Sequence, residues 1–392
     1  MEKISSGILK KPRTLAPSGK RSKTARHYIE EALHEAGITI NGDRPYDILV
    51  YNNDLYDRVI SEGSIGVGES YMDGWWDCPA LDQFFDKIFR ANIKKIFEGN
   101  WHFYAHVLKS RVLNLQKGKH AYEVGIRHYD VGNDFYRDML DRRMTYTCGY
   151  WADAATLDEA QEAKLDLICR KLQLKPGMSV LDIGCGWGSF ATYAAEKYGA
   201  EVTGVTISRE QAEMAEQECS GLPVDIRLQD YRDVTGKFDR VLSIGMFEHV
   251  GYKNYRTYME TTARCLKEDG IALLQTIGSN KSVHTSNPWI NKYIFPNSML
   301  PSIAQIGDAM EGLFVMEDWH NFGPDYDKTL MAWHENFEKF WPKHREHYGE
   351  RFYRMWNFYL LSCAGTFRSR VNQLWQITMT RTGRPQPACR LS

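Results

Sequence analysis

An alternation of apolar strands and amphipathic helices between residues 159 and 277 is the feature that most restricts the fold of this chain. A helix, EAQEAKLDLICRKLQL, ends at Pro176-Gly177 and is followed by a strand (MSVLDI), a glycine turn (GCGWG) and a helix (SFATYAAEKYG). The pattern continues through the strands AEVTGVT, VDIRLQ, KFDRVLSIG and GIALLQTI, with the helices SREQAEMAEQEC and NYRTYMETTARCL among them. Such alternation predicts an α/β fold with a doubly wound, mostly parallel sheet.

The first strand–turn–helix unit indicates which ligand the sheet holds. VLDIGCGWG ends a strand in Asp182 and then turns through three glycines, Gly184, Gly186 and Gly188. Glycines there let the backbone approach a ligand closely at the carboxyl edge of the sheet. A dinucleotide fold would instead need G-x-G-x-x-G and an acidic residue after strand two, but that strand ends at Thr206. Asp182 and the later Asp230 resemble the sheet of S-adenosylmethionine-dependent methyltransferases (Rossmann-like).

Composition and charge exclude several classes of protein. Of 392 residues, 43% are hydrophobic and 25% are charged, and the net charge of -1 gives no overall attraction to nucleic acid or membrane. No apolar segment approaches the roughly 20 residues of a membrane span, and the N-terminus lacks the apolar region of a signal peptide. The eight cysteines form no CxxC pair and no Cys/His finger spacing. We therefore expect a cytoplasmic protein with free thiols and no structural zinc.

Three sections can be distinguished along the chain. Residues 1–26 carry eight Lys/Arg and one Glu, which predicts a flexible basic tail able to contact anionic lipid or nucleic acid. Residues 27–125 contain the helical stretches HYIEEALHEAG and ALDQFFDKIFRANIKKIFE, a short strand pair around ITINGDRPYDILVY, and GVGESYMDGWW, interpreted as a tight turn before an aromatic helix. Residues 126–392 hold the sheet, an irregular aromatic insertion at 278–330, and helical stretches such as TLMAWHENFEKFW and RFYRMWNFYLLSC.

The segment GMFEHVG, at the end of strand four, bears on the methyl acceptor. Methyltransferases of exocyclic amines in nucleic acid commonly carry an Asn/Asp-Pro-Pro-Tyr segment there, and this chain has neither proline nor asparagine at that point. A carboxylate in apolar surroundings, Glu248, suits proton or cation chemistry better than recognition of an amine. The alternative for Glu248 is to cap the helix that follows.

Several longer segments together resemble one family. GSIGVGESYMDGWWDC, HYDVGNDFYRDMLD, MTYTCGYW, VLDIGCGWGSF, SIGMFEHVG, NPWINKYIFPN and EDWHNFG look like those of bacterial cyclopropane-fatty-acyl-phospholipid synthases and, more distantly, of mycolic-acid cyclopropane synthases. The similarity runs from about residue 27 to about residue 380. It implies methyl transfer from S-adenosylmethionine to the cis double bond of a phospholipid acyl chain, through a carbocation that loses a proton to close a cyclopropane ring.

The resemblance also implies the residues of the site. Bicarbonate would be the base, held by Cys148, Glu248, the backbone of Ile277 and Tyr326. Gln275 stands where the family usually has histidine, and an amide can donate to an anion but cannot carry a proton away. Cys363 matches a C-terminal family cysteine, although its helical, apolar surroundings favour a buried inert thiol. The matching cofactor positions are Tyr146, Thr147, Asp182, Gly184, Gly186, Gly188, Thr206, Gln211, Asp230, Tyr231 and Arg232.

The architecture implied is a tail (1–26), a mainly helical N-terminal domain (27–125) that docks on the inner membrane surface, and a catalytic domain (126–392) whose lid is the 278–330 insertion. A homodimer is expected and nucleic acid is not. Alternatives are acyl methylation without ring closure, a nucleic-acid methyltransferase recruited by the tail, and a non-catalytic lipid-binding protein. The 11 Trp, 22 Tyr and 17 Phe fill a core or shield a cation. The pairs His102/His106 and His344/His347 lack a third ligand, so no metal is predicted.

Overall fold

The structure, a computed structural model, describes residues 19–91 and 131–391. Most of the predicted basic tail, the end of the predicted helix ALDQFFDKIFRANIKKIFE and the pair His102/His106 lie outside the described residues. Within the described ranges, no helix combines the length and the apolar character that crossing a bilayer requires.

Residues 19–91 form short helices and two very short strands. They are α1 (Gly19–Glu35), β1 (Leu49–Val50), α2 (Leu55–Glu62), α3 (Ser64–Met72), β2 (Trp76–Asp77) and α4 (Leu81–Arg90). α1 begins inside the segment predicted as tail; Arg26 pairs with Glu30 one turn further on, at 2.7 Å. β1 lies in the predicted strand pair, but its partner is β2, and Ile40 and Ile48 make only an isolated bridge.

The interpretation of GVGESYMDGWW as a turn before an aromatic helix is wrong. The segment belongs to α3 as far as Met72, and β2 begins at Trp76. A Cβ on Gly66 would lie 2.4 Å from the carbonyl oxygen of Arg58, and one on Gly68 would lie 2.3 Å from the ring of Trp289. The glycines therefore allow α3 to pack closely against its neighbours.

The central sheet of the described chain has the strand order β5-β4-β3-β6-β7-β9-β8. The strands are β3 (Ser179–Ile183), β4 (Glu201–Thr206), β5 (Val224–Leu228), β6 (Phe238–Ile244), β7 (Leu266–Ser279), β8 (Val315–Asn321) and β9 (Asn372–Thr380). β3 to β7 pair in parallel, whereas β9 runs antiparallel between β7 and β8. The predicted doubly wound, mostly parallel α/β sheet is confirmed. β8 and β9 were not predicted, because their segments were interpreted as irregular or helical.

The helices after residue 131 connect and cover these strands. They are α5 (Asn133–Met139), α6 (Leu157–Lys171), α7 (Ser189–Tyr198), α8 (Arg209–Glu218), α9 (Tyr255–Cys265), α10 (Pro288–Tyr293), α11 (Ile303–Met310) and α12 (Pro324–Arg368). α12 is broken at Gly349, whose φ of 74° is not helical. The predicted helices between residues 159 and 277 are all present, and the insertion contains α10, α11 and β8.

α12 joins the N-terminal helices to the rest of the molecule. The ring of Phe358 lies 5.6 Å from that of Tyr71 and 5.2 Å from that of Phe85, measured between centroids. Arg354 donates to the carbonyl oxygens of Tyr71 and Trp76 at 2.5 and 2.9 Å. One continuous aromatic core thus spans the N-terminal helices and α12.

Candidate active site

A cavity lies at the carboxyl edge of the sheet, over the glycine turn that follows β3. Ten of the residues predicted to bind the cofactor line it: Tyr146, Thr147, Asp182, Gly184, Gly186, Thr206, Gln211, Asp230, Tyr231 and Arg232. Gly188 is not among the lining residues. A Cβ at Gly188 would lie 3.1 Å from Cys219 Sγ and 3.3 Å from the Cβ of Ala215, so this glycine lets α7 pack against α8.

The cavity fits a nucleoside that carries a charged amino-acid tail, such as S-adenosylmethionine. A Cβ at Gly186 would meet nothing nearer than Gln211 Nε2, at 3.9 Å, so a ligand can approach this backbone closely. Thr206 Oγ1 donates to Gln211 Oε1 at 3.1 Å on one wall. On another wall Asp230 accepts from Arg232 Nε at 2.8 Å. Hydroxyl, amide and charged side chains therefore line the cavity around a glycine backbone that a ligand can reach.

Lys164, on the buried face of α6, was missed by the sequence reasoning although it lines this cavity. Its ammonium donates to Thr147 Oγ1 at 2.9 Å. Burial lowers the pKa of Lys164 to about 8, and the nearby acidic groups, of which Asp141 has the largest effect, oppose this decrease. Burial raises the pKa of Asp182 to about 7, and Lys164 lowers it. A lysine among the apolar positions of EAQEAKLDLICRKL was the signal that could have identified it.

Glu248 lies in the turn after β6 and is buried. Its Oε1 accepts a 2.6 Å hydrogen bond from the backbone N–H of Ile277, and its Oε2 has no hydrogen-bond partner among the described residues. Burial raises the pKa of Glu248 to about 7. The bond from Ile277 and the nearby hydroxyl of Thr276, which itself donates to the carbonyl of Ile277 at 3.1 Å, oppose that rise. The side chain therefore binds β7 rather than capping the following helix. The amide that the resemblance assigned to bicarbonate is engaged by Glu248 itself.

Tyr326 brings the other predicted site residues together. Its phenol is buried, and the nearby Cys148, Glu248 and Cys363 reinforce the effect of burial, which raises the pKa of Tyr326. The hydroxyl makes no hydrogen bond within the described part of the chain, while the ring stacks on Phe367 at 4.5 Å. A phenol and a carboxylate oxygen thus remain available to a small polar ligand.

Both predicted cysteines are neutral thiols in this setting. Cys148 is fully buried, and Thr329 Oγ1 lies 3.9 Å from its Sγ. Burial raises the pKa of Cys148, and burial also raises the pKa of Cys363 to about 12. Because the thiolate is the nucleophilic form, neither side chain is activated for covalent catalysis.

Gln275 is buried in β7, where Ile244 of β6 and Gln376 of β9 are its neighbours in register. Its Oε1 accepts from Gln376 Nε2 at 2.9 Å. Its Nε2 is buried and has no hydrogen-bond partner within the described ranges. The amide therefore keeps a free donor in the interior.

Aromatic rings connect the cofactor cavity to the surroundings of Glu248. The ring of Tyr146 lies 5.1 Å from that of Trp333 and 6.3 Å from that of Phe295, and its hydroxyl donates to Tyr359 at 2.9 Å. Tyr326 lies 6.0 Å from Trp333. The backbone of the 278–330 insertion also reaches this region, since the N–H of Met299 donates to the backbone carbonyl of Glu248 at 2.7 Å.

Comparison with known proteins decides the family. Residues 116–377 match the family model described as mycolic acid cyclopropane synthetase. The chain belongs to this family. It is therefore an S-adenosylmethionine-dependent methyltransferase, as predicted. The Escherichia coli (strain K12) cyclopropane-fatty-acyl-phospholipid synthase is 56% identical over 351 residues, which cover 90% of this chain and 92% of that protein.

Further members and structures agree. A probable fatty acid methyltransferase of Pseudomonas putida is 38% identical over 64% of this chain and 67% of its own. The crystal structure of mycolic acid cyclopropane synthase CmaA1 complexed with SAH and CTAB has a TM-score of 0.63 and 33% identity, covering 66% of this chain and 98% of that one. These matches confirm the methyltransferase fold predicted for this family member.

Two of the histidines that the structure describes, His249 and His344, lie against an aromatic ring and a carboxylate. His249 lines the cofactor cavity against Phe295, at 5.8 Å, and burial lowers its pKa to about 4, so that the ring is neutral. His344 Nε2 lies 2.7 Å from Asp138 Oδ2. In the described ranges no group of three or more His, Cys, Asp or Glu side chains is arranged to hold a metal ion.

The raised pKa of Glu248 predicts a pH-dependent stability. A carboxyl group whose pKa rises from 4.5 to about 7 on folding stabilises the fold fully below pH 4.5, and this contribution is lost as the pH rises through 7. Glu248→Gln, which is always neutral, should therefore gain up to about 3 kcal/mol in free energy of unfolding relative to the parent between pH 4.5 and pH 8. Urea unfolding of both proteins across this range measures it. Parallel stability curves would show that Glu248 does not titrate in this way.

Proposed function

We propose that this enzyme adds the methyl carbon of S-adenosylmethionine to the cis double bond of an unsaturated acyl chain in a membrane phospholipid and closes a cyclopropane ring. The observation that carries this proposal is the buried carboxylate of Glu248. One of its oxygens has no hydrogen-bond partner among the described residues, its chain neighbours Met246 and His249 line the cofactor cavity, and the phenol of Tyr326 lies close enough to feel its charge. The 56% identity to the Escherichia coli synthase over 90% of the chain supports the choice of substrate.

An alkene is a weak nucleophile, and its addition to a methyl group leaves positive charge on the acyl chain. Loss of a proton from the added carbon then closes the ring, because the electrons of that C–H bond form the last ring bond. When bound, S-adenosylmethionine supplies the electrophilic methyl group and bicarbonate supplies the base. The rings of Tyr146, Phe295, Tyr326, Trp333 and Tyr359 would stabilise the cation, at about 0.5–2 kcal/mol for each well-placed face.

The residues around Glu248 fit a bound bicarbonate. Glu248 Oε2 can accept a hydrogen bond from the O–H group of bicarbonate, and the hydroxyl of Tyr326 can donate one to the bicarbonate oxygens. Neither protein group has a hydrogen-bond partner among the described residues. The free Nε2 of Gln275 is a further uncharged donor. The thiol of Cys148 donates to the carbonyl of Gly149 at 3.1 Å in this structure and would have to turn away from it to donate to bicarbonate. Ile277 contributes by holding Glu248 through its amide. Because Oε1 already accepts from Ile277, Oε2 is an acceptor when the carboxyl group is ionised, and its pKa of about 7 makes that state accessible near neutral pH.

Labelled S-adenosylmethionine and vesicles of unsaturated phospholipid test this function. The acyl chains should gain one CH2 and lose their reactivity as alkenes, while vesicles of saturated phospholipid take up no label.

Methylation without ring closure is the second candidate, favoured by the similarity to the Pseudomonas putida probable fatty acid methyltransferase. A product that still reacts as an alkene would select this second function.

We further propose that the enzyme works from the cytoplasm as a homodimer, with residues 27–125 docking on the inner membrane and the 278–330 insertion covering the site. The basic tail would add electrostatic attraction.

Deleting residues 1–18, which leaves α1 intact, should weaken binding to anionic vesicles by at least about 10-fold at low salt. The difference should shrink at 0.1 M salt, where charges are screened within about 10 Å. A variant with Lys3, Lys10, Lys11 and Arg13 changed to Gln is the matched control for charge. Vesicle binding that is unchanged at low salt would refute the role of the tail.

A further inference from the structure

Gln275 and Gln376 face each other across β7 and β9 as a buried pair of amides. The two residues are opposite in the strand register, and both side chains are essentially inaccessible to solvent. Gln376 Nε2 donates to Gln275 Oε1 at 2.9 Å. This single bond leaves Gln275 Nε2 and Gln376 Oε1 buried without partners among the described residues.

A buried amide donor that remains unsatisfied is destabilising, and each such group in a native interior calls for an explanation. The position of Gln275 supplies one. Gln275 is the register partner of Ile244, the last residue of β6, and its carbonyl accepts from the N–H of Gly245 at 3.0 Å, in the turn that leads to Glu248. Two residues further along β7 is Ile277, whose amide holds Glu248. Gln275, with its free N–H groups, therefore belongs to the strand end that also carries Glu248, whose Oε2 has no partner among the described residues.

An amide side chain can present either of its ends, because rotation by half a turn exchanges its oxygen and its nitrogen. The nitrogen end of the amide donates hydrogen bonds to an anion, whereas the partial negative charge of the oxygen end repels it. In this structure Gln376 donates to the Oε1 end of Gln275, which leaves the Nε2 end as the one without a partner among the described residues.

We infer that Gln376 is a positioning residue, which holds the amide of Gln275 with its N–H groups toward the bicarbonate site. The inference rests on the proposed function. It gives this chain, which lacks the usual family histidine at position 275, an uncharged and oriented donor for the anion. Gln376 itself touches neither substrate nor base and acts only through Gln275.

The test combines the substitutions Gln376→Met, Gln275→Met and the double variant. Methionine has nearly the length of glutamine and no amide, so packing is largely kept. Binding of carbon-13 bicarbonate to enzyme saturated with S-adenosylhomocysteine is measured by NMR titration, beside the KM for bicarbonate and kcat. Gln376→Met should weaken bicarbonate binding about 5- to 10-fold, and Gln275→Met at least as much. In the double variant Gln376→Met should add nothing to the loss, because the residue acts through Gln275.

Thr378→Val is the matched control. Thr378 is the next residue of β9 on the same face, and its buried hydroxyl is also unpartnered in the described chain, so that its removal changes strand polarity without touching the amide pair. It should leave bicarbonate binding unchanged. If Gln376→Met fails to fold, Gln376→Asn, whose amide is too short to reach, takes its place.

The outcomes separate this inference from the function on which it rests. A parent enzyme that forms cyclopropane and binds bicarbonate, with unchanged affinity in Gln376→Met, overturns the inference alone. The same holds if the Gln275 and Gln376 losses multiply independently. A parent enzyme that forms no ring overturns the function, and one that binds no bicarbonate overturns the anion site together with this inference.

Discussion

Glu248→Gln should fold and bind S-adenosylmethionine but form cyclopropane product at least about 10²-fold more slowly than the parent. Loss of a positioned acid–base group typically has an effect of this order. Glutamine has nearly the same shape and its amide oxygen can still accept from Ile277, so the turn after β6 is preserved. What disappears is the negative charge whose free oxygen, Oε2, is available to orient the base.

Initial rates with unsaturated phospholipid vesicles measure this effect, and calorimetric titration with S-adenosylhomocysteine checks the cofactor site. Glu268→Gln is the matched control, because Glu268 lies on β7 but is exposed to solvent. It should retain parental activity. Near-normal turnover by a folded Glu248→Gln enzyme would assign Glu248 a structural role only.

The second large effect is expected at Gly186. Gly186→Ala should lower the affinity for S-adenosylhomocysteine by about 10-fold or more, because its Cβ would project into the cavity, where no described atom outside its neighbours lies within 3.9 Å. The left-handed φ of 57° adds backbone strain of about 1–2 kcal/mol. Since strain alone lowers stability rather than affinity, the two effects must be separated.

Gly177→Ala separates them. Gly177 has a φ of 76°, and a Cβ there would meet nothing within 4 Å in the turn before β3, outside the cavity. Both variants should lose similar stability in thermal unfolding, and only Gly186→Ala should lose affinity in the calorimetric titration. Equal affinities of the two variants for S-adenosylhomocysteine would show that the glycine turn at Gly186 does not contact the cofactor.

The sequence was informative where local pattern decides structure. β3, the glycine turn and β6 follow from apolar runs bounded by glycine, and the parallel sheet then brings Asp182 and Glu248 to one edge. The segment WQITMT of β9 also alternates between an apolar face and a polar one, as a strand should. It was missed because the chain after residue 278 was interpreted as irregular and then helical, and the partners that would identify a strand there, β7 and β8, are not adjacent to β9 in sequence.

Other features depend on contacts that local pattern does not encode. Gly66 and Gly68 resemble a loop in sequence, yet they are helical because Arg58 and Trp289 pack against them. Lys164 has the spacing of a core position, and only the fold shows that its ammonium reaches Thr147 at the cofactor cavity. The direct bond from Ile277 to Glu248 likewise required the three-dimensional arrangement.

The central claim, addition to the alkene followed by ring closure, is tested most directly with S-adenosylmethionine whose methyl hydrogens are all deuterium. The enzyme is incubated with vesicles of unsaturated phospholipid, and the acyl chains are analysed by mass spectrometry and for alkene reactivity. We expect a product that has lost its alkene reactivity and keeps two of the three deuterium atoms, because one leaves as the ring closes. A product that keeps all three, or that still reacts as an alkene, would contradict cyclopropane formation.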